Sequence, residues 1–439
     1  MKHAATTVTF CLLLSVVEAA TPNSVRLEDL EQMALTNNPT MAQAEANVRV
    51  AAGLSRQASL YPNPTVGYYG DEIRGGSIGG GKQGAFVSQT IVLGGKLRAA
   101  RRVAELEANQ AETSAEIQRL RIQNNVRVLF YQALAAQRLV EVHQNLVKLA
   151  ADATQTSRQL GNIGQADRPD ILQAEVEEQQ AKMGLRIAQQ NLQACWSTLA
   201  AVIGQPDLAM AHLDGDLEAI PNLNQGEWVA TTLRESLEVK WEQQAVQQAE
   251  ASLVQAKKAP IPDLQVTGVL VQNREPLDTS RMQTGLEGGA QIGVQLPLFN
   301  RNQGNIAAAR GEVESTRQNL AREKLQLQRA VAGMFREYDS ARTTVQQYKT
   351  EMLPRAEQAY RMYQENYQKM AAAYPQVLIA QRTFFQLQTE YIQALADAWT
   401  SSLAIRGFGL MDGLSEPLTS RPPMSGAMGS VPSQTIAIQ

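Results

Sequence analysis

Apolar residues recur along this chain with two periods, one suited to long helices and one to short strands. Ile171, Ala174, Ala181, Leu185, Ala188, Leu192, Cys195, Leu199 and Val202 follow alternating steps of three and four, with Glu178 in one slot. The stripe returns as Val377, Ala380, Phe384, Leu387, Tyr391, Ala394, Ala398, Ser401 and Ile405. Ile122 to Ala150 and Ile306 to Met334 keep the same register. A 3.5-residue spacing is a coiled-coil seam with left-handed supercoiling. A continuous helix from Asn305 to Met370 would span about 100 Å, and Pro354 must bend or interrupt it.

The second period is two. Ala290, Ile292, Val294, Leu296 and Leu298 alternate with Gln291, Gly293, Gln295 and Pro297. Leu264, Val266 and Leu270 alternate with Gln265 and Thr267, and Ala85, Val87, Ile91 and Leu93 form a weaker row. These rows predict strand pairs at about 64–93 and 263–298, joined by polar, Gly-rich loops at 71–83 and 272–287. Strands of about nine residues suit a tilted crossing of hydrocarbon. Ile292, Val294 and Leu296 are the candidate lipid-facing positions, with Val294 expected near the midplane. Four strands cannot close a membrane barrel, since the smallest have about eight, and open edges in lipid leave backbone groups unsatisfied. If the strands enter a bilayer, several chains must share one barrel; the number stays open.

The two patterns occur twice. Ala51, Ala58, Pro62 and Pro64 return 198 positions later as Ala249, Ala256, Pro260 and Pro262. Gly84, Ile91 and Leu93 return as Gly289, Leu296 and Leu298, and Leu172 and Ala174 as Leu378 and Ala380. Such ordered matches indicate a duplicated unit. Each copy reads helix, two strands, long helix, turn, long helix. The first copy spans 20–204, an inter-repeat segment 205–227, and the second copy 228–414. The rods reverse at Gly161 to Gly164 followed by Pro169, and at Ala371 to Pro375, where Gly supplies left-handed dihedrals and Pro a helical first turn.

The ends differ from this pattern. Met1-Lys2-His3, the apolar run Val8–Val17 and small residues at Val17 and Ala19 read as a signal peptide, 1–19, cleaved after Ala19. Cys11 lacks the neighbours of a lipid-anchor site. Residues 415–439, rich in Pro, Ser, Gly and Met, read as a disordered tail.

Composition narrows the function. With 40 Lys+Arg against 43 Asp+Glu in 439 residues, no basic excess exists to replace counterions on nucleic acid. Three His and two Cys leave little for a metal or thiol site. Gly76 to Gln83 nearly matches a phosphate-cradling loop but lacks the final hydroxyl and the following helix, so a hairpin loop is the better reading. His212-Leu-Asp214-Gly-Asp216 reads as a surface turn, and His143 and Cys195 sit at seam positions. No catalytic constellation stands out, and no cofactor is expected. Asp167 and Asp170 open a helix, where carboxylates cap free N–H groups. They also lie at a hairpin tip, where symmetry in a ring of chains would multiply them into a collar of charge.

Asn38-Pro39, Tyr61-Pro-Asn-Pro64, Ser88 to Lys96, Leu296-Pro-Leu-Phe-Asn-Arg-Asn-Gln-Gly304 and Val377 to Thr383, in this order of elements, resemble the TolC family of outer-membrane efflux proteins over Val25 to Leu414. The LPLFNRNQG stretch most resembles the heavy-metal-efflux branch. The resemblance implies a mainly α fold with membrane β: coiled-coil hairpins form a periplasmic α-barrel, and four strands per chain join a trimeric 12-stranded barrel in the outer membrane. It implies an equatorial collar around 205–227 and the C-terminal region. It further implies a passive exit duct, docked on a periplasmic adaptor and an inner-membrane pump, carrying organic compounds or heavy-metal cations. Asp170 stands where the family's first repeat has a gate carboxylate, and Tyr367 matches the gate Tyr. The second repeat departs, with Gln376 and Ile379 at the carboxylate positions, Met370 at the tip Gly and Ala372 at the gate Arg. Gly161, Gly164 and Met370 are the expected adaptor contacts, Asp167, Asp170, Tyr367 and Gln376 the candidate gate residues, and any gate should rest more on the first hairpin. A periplasmic adaptor or an exported coiled-coil structural protein are the alternatives; the duplicated strand pairs count against the first, and the Leu296-Pro-Leu-Phe299 strand and Pro-x-Pro boundaries against the second.

Overall fold

The computed structural model describes residues 24–73, 80–163, 167–277, 282–369 and 374–419. The signal segment, Gly164, Met370 and the tail beyond Thr419 lie outside the described residues. The chain opens with a short strand β1 (Ser24–Val25), α1 (Leu27–Asn37) and α2 (Pro39–Ala58). A strand pair, β2 (Thr65–Asp71) and β3 (Lys82–Ile91), leads into α3 (Lys96–Asn162) and α4 (Arg168–Ile203). After β4 (His212–Leu213) the order repeats as α5 (Gln225–Glu235), α6 (Leu237–Lys258), β5 (Leu264–Leu277) and β6 (Met282–Val294). The second long rod is α7 (Gln303–Gln347), a π turn (Tyr348–Met352) and α8 (Leu353–Gln368), and α9 (Tyr374–Arg406) returns beside it. The 67 residues of α3 make a rod of about 100 Å.

Each copy opens with two helices where the apolar pattern suggested one. Asn38 and Ser236, 198 positions apart, cap the second helix of each pair. Asn38 accepts from Thr40 N–H at 2.8 Å, and Ser236 Oγ from Val239 N–H at 3.4 Å. Pro354 interrupts the long rod as expected, but gently. Leu353 N–H reaches back five residues to Tyr348 O, so one π turn absorbs the misfit and Pro354 enters the first turn of α8. Gly161 departs from its expected role. It is the penultimate residue of α3 with no left-handed dihedral, and the helix ends at Ile163 with φ −101°.

The core lies where both copies meet at mid-length. Leu30, Ile122, Phe130, Leu199, Ile203, Ala398 and Leu403 are buried there from α1, α3, α4 and α9. Tyr131 stacks on Trp399 at 3.6 Å, and Trp399 Nε1–H donates to Leu217 O at 2.8 Å. Buried Tyr338 donates to Pro221 O at 2.6 Å and accepts Leu223 N–H at 3.2 Å. The inter-repeat segment is thereby tied across α7 and α9, with β4 pairing parallel to β1.

The C-terminal segment corrects the disordered reading at its start. Residues 415–419 run along α3, and Pro417 is buried. Ser114 Oγ donates to Leu418 O at 2.6 Å, and Gln118 Nε2 donates to Ser415 O at 3.2 Å. Ser114 and Gln118 are buried polar groups that need acceptors, and the segment's carbonyls supply them.

β2, β3, β5 and β6 form one antiparallel sheet in that order, with β2 and β6 at its edges. The strands stop before the apolar rows do. β3 ends at Ile91 because Gly94 and Gly95 both take φ +69°, leaving Leu93 outside. β6 ends at Val294, and Leu296, a candidate strand position, lies beyond it in the exit segment. Pro297 cannot donate to a ladder there. The expected loop 272–287 is largely strand, since β5 runs to Leu277 and β6 starts at Met282, with a register shift between Asn273 and Pro276.

Candidate functional site

The register decides what the sheet can do. Val66, Val87, Gly268 and Ala290 form one rung across all four strands, and Tyr68, Ala85, Leu270 and Gly288 form the next but one. Partners in a rung share a face, so both rungs belong to the same side. Ile91, Leu264 and Val294 close that side at the helical end, with Val266 and Ile292 one step inward. The expected apolar rows of both copies thus merge into one oily face. Ile292 is 70% exposed and Val294 51%. Val294 is the last residue of β6, so it lies at the rim and not at the midplane; Val87 and Ala290 occupy the middle.

The opposite face is polar at both ends, with Phe86, Val269 and Val271 between them. Thr65, Ser88, Thr267 and Gln291 form one rung, in which Ser88 Oγ and Thr267 Oγ1 lie 2.9 Å apart. Toward the loops, Asn273 Nδ2 donates to Glu287 Oε1 at 2.7 Å, and Lys82 lies 3.7 Å from Glu72. An oily face backed by a partly polar one, with edges at β2 and β6 that are unpaired among the described residues, could form one segment of a pore wall.

The second region is the far end of the rods. Asp167 takes the N-cap position of α4 in extended geometry, φ −82° and ψ 154°. Its carboxylate makes no capping hydrogen bond; its backbone oxygen accepts from Asp170 N–H at 3.1 Å and Ile171 N–H at 3.3 Å. The expected side-chain cap is therefore not made. Asp170 lies half-buried in the first turn of α4. Tyr367 lies half-buried near the end of α8. Burial, and then the charge of Asp170, push the Tyr367 phenol above its ordinary pKa. Gln376 is exposed on α9, beside a groove of about 250 Å³ lined also by Tyr363, Ile379 and Thr383. Of the four expected gate residues, Tyr367 feels the charge of Asp170, while Asp167 stays exposed and Gln376 faces this separate groove.

A contact absent from the sequence reading joins the hairpins higher up. Arg382 on α9 pairs with Glu177 on α4. The pair borders a cleft of about 310 Å³ between α3, α4 and α9, lined by His143, Gly184 and Phe385. Burial lowers the His143 pKa. Its Nδ1 is buried without a hydrogen-bond partner among the described residues, and a Cβ at Gly184 would come within 3.0 Å of it. Helical seam spacing marks His143 as interior but does not say that it meets Gly184. Among the described residues, no group of three His, Cys, Asp or Glu could hold a metal ion. No described helix is long and apolar enough to cross a membrane.

The sequence model described as "Outer membrane efflux protein" matches residues 30–205 and 228–408, one stretch per copy. The cobalt-zinc-cadmium resistance protein CzcC of Cupriavidus metallidurans is 26% identical over 390 residues, 88% of this chain and 90% of that protein. The fold is similar to that of CusC, with a TM-score of 0.73 and 15% identity over 87% of this chain and 92% of that one. It is also similar to the open state of the MtrE outer membrane channel of Neisseria gonorrhoeae, with a TM-score of 0.71 and 18% identity over 90% and 91% of the two chains.

Proposed function

The chain belongs to the outer membrane efflux protein family, and on that premise we propose that three copies pool their sheets into one 12-stranded barrel that conducts heavy-metal cations outward. Membership makes the chain an outer-membrane efflux channel whose helices reach into the periplasm, and sets aside the adaptor and structural-protein alternatives. The observation that carries the shared barrel is the four-stranded sheet with one oily face and two unpaired edges. In lipid such edges need strands from other copies. The homotrimer acts as a passive duct, with no catalytic step of its own, fed by a periplasmic adaptor and an inner-membrane pump.

The cargo reading rests on the relative named for cobalt, zinc and cadmium resistance. Asp170 and Tyr367 close the periplasmic entrance, and the tips at Gly161, Gly164 and Met370 meet the adaptor. Resistance profiling of a deletion strain tests the cargo. Loss of tolerance to cobalt, zinc or cadmium, with unchanged tolerance to organic toxins, is expected; the reverse pattern rejects the metal assignment. Crosslinking of membranes tests the barrel, with a trimer expected.

A further inference from the structure

Four helices abut the sheet at its helical end, and their charge there departs from that of the chain. The band comprises the last eight residues of α2 and α6, the first eight of α3 and α7, and their linkers to the strands. Within it α3 alone contributes Lys96, Arg98, Arg101 and Arg102. The other three helices and their linkers add Arg56, Lys257, Lys258, Arg301 and Arg310. Asp263 is the single carboxylate in the band, although the whole chain nets −3. We propose that this belt binds the phosphodiester headgroups of anionic phospholipids in the periplasm-facing leaflet.

Two further observations point the same way. Lys96 is paired with Asp263 at 2.8 Å, and Arg101 with Glu105, just below the band, at 2.7 Å. Arg56, Arg98, Lys257, Arg301 and Arg310 are exposed and form no ion pair among the described residues. The same band also exposes apolar and aromatic groups: Leu60, Tyr61, Leu298 and Phe299, the last 92% exposed. Aromatic rings mixed with cations are the signature of a membrane–water boundary. Eight helical residues span about 12 Å, so the charges lie within roughly one or two screening lengths of the headgroups. The belt rests on the outer-membrane location and not on the cargo.

The test uses the full-length channel in nanodiscs of equimolar phosphatidylglycerol and phosphatidylcholine, with lipids retained after partial delipidation counted by mass spectrometry. Phosphatidylglycerol should be enriched about fivefold at low salt and approach parity at roughly 0.5 M salt. Replacing Arg56, Arg98, Lys257, Arg301 and Arg310 together by Gln should abolish the enrichment without changing trimer yield. Replacing the four arginines of that set by Lys should keep it. Equal retention of both lipids by the native channel overturns the proposal while leaving the channel reading intact. An unchanged lipid ratio in the Gln variant, accompanied by altered ion selectivity, also overturns it by placing the belt in the lumen. If the Gln variant does not assemble, the salt response of the native and Lys forms decides instead.

Discussion

The two copies of the unit share an order of elements but have diverged at both ends. In the first, the strand pair has 7 and 10 residues and the long helix runs unbroken; in the second, the strands have 14 and 13 and the rod carries a π turn. The first hairpin has carboxylates at its tip, whereas Gln376, 206 positions after Asp170, carries none in the second. The membrane face, by contrast, was kept, because every rung from Lys82–Asn273 to Ile91–Leu264 crosses both copies. A shared wall constrains the two copies equally. A rod end constrains each only through what it meets.

If the wall is continuous, equal charges at equal depth should cost the same in either copy. Val87→Arg and Ala290→Arg lie in one mid-sheet rung. Each should cost about 2–4 kcal/mol per chain and prevent trimer assembly. Val294→Arg, at the rim, should cost about 0–1 kcal/mol. Heat-modified gel mobility of membranes measures this. Normal assembly of Val87→Arg alone would show that the first copy does not face lipid.

The paired caps sharpen the comparison at smaller scale. Asn38 accepts from Thr40 N–H and donates to Val202 O at 2.7 Å, within a buried network that also holds Gln118. Ser236 makes one cap bond at 3.4 Å. Asn38→Ala should cost about 2–3 kcal/mol and Ser236→Ala about 1. Thermal unfolding of the purified protein would measure both; equal losses would remove the asymmetry.

At the tips the asymmetry becomes functional. Asp170→Asn should raise single-channel conductance or resting leak severalfold, and Gln376→Ala should leave both unchanged. The substitution also removes the charge that helps hold the Tyr367 phenol un-ionised, so that phenol should titrate at lower pH than in the native protein. An equal response from both hairpins would move the gate off the first copy.

Much of this was readable from residue order alone. The period of two along Ala85 to Ile91 and Leu264 to Leu270 survives because lipid contacts every second side chain. The 3.5-residue seams survive because rods must interlock. What escaped notice had competing local signals. Gln272 and Glu287 read as loop because they interrupt the apolar alternation, although both lie within the ladder, Gln272 on the oily side of β5 and Glu287 on the other side of β6. Ser415 to Thr419 carries the composition of a free tail, yet docks because α3 offers buried Ser114 and Gln118. Glu177 and Arg382 meet only through the packing of two hairpins that are distant in sequence. Leu296 kept the strand alternation past the residue at which Pro297 ends any ladder.

The smallest expected effect concerns the one hairpin contact that carries an imidazole. His143 on α3 faces Gly184 on α4, and Glu177 of α4 and Arg382 of α9 line the same cleft. Burial lowers its pKa from 6.5, so the folded state favours the neutral ring. The unfolded chain then binds more protons in the acidic window, and stability rises with pH there. This contribution is complete above about 6.5 and is lost as pH falls through the lower folded value. Glu177 opposes the loss by attracting the protonated ring, while Arg382, paired to that carboxylate, offsets the attraction. Between pH 7.5 and pH 5 the native channel should therefore lose more thermal stability than His143→Gln, whose side chain fills similar space without titrating. Parallel losses in the two proteins would mean that the ring is solvated in the assembled channel and that the two hairpins are joined there without it.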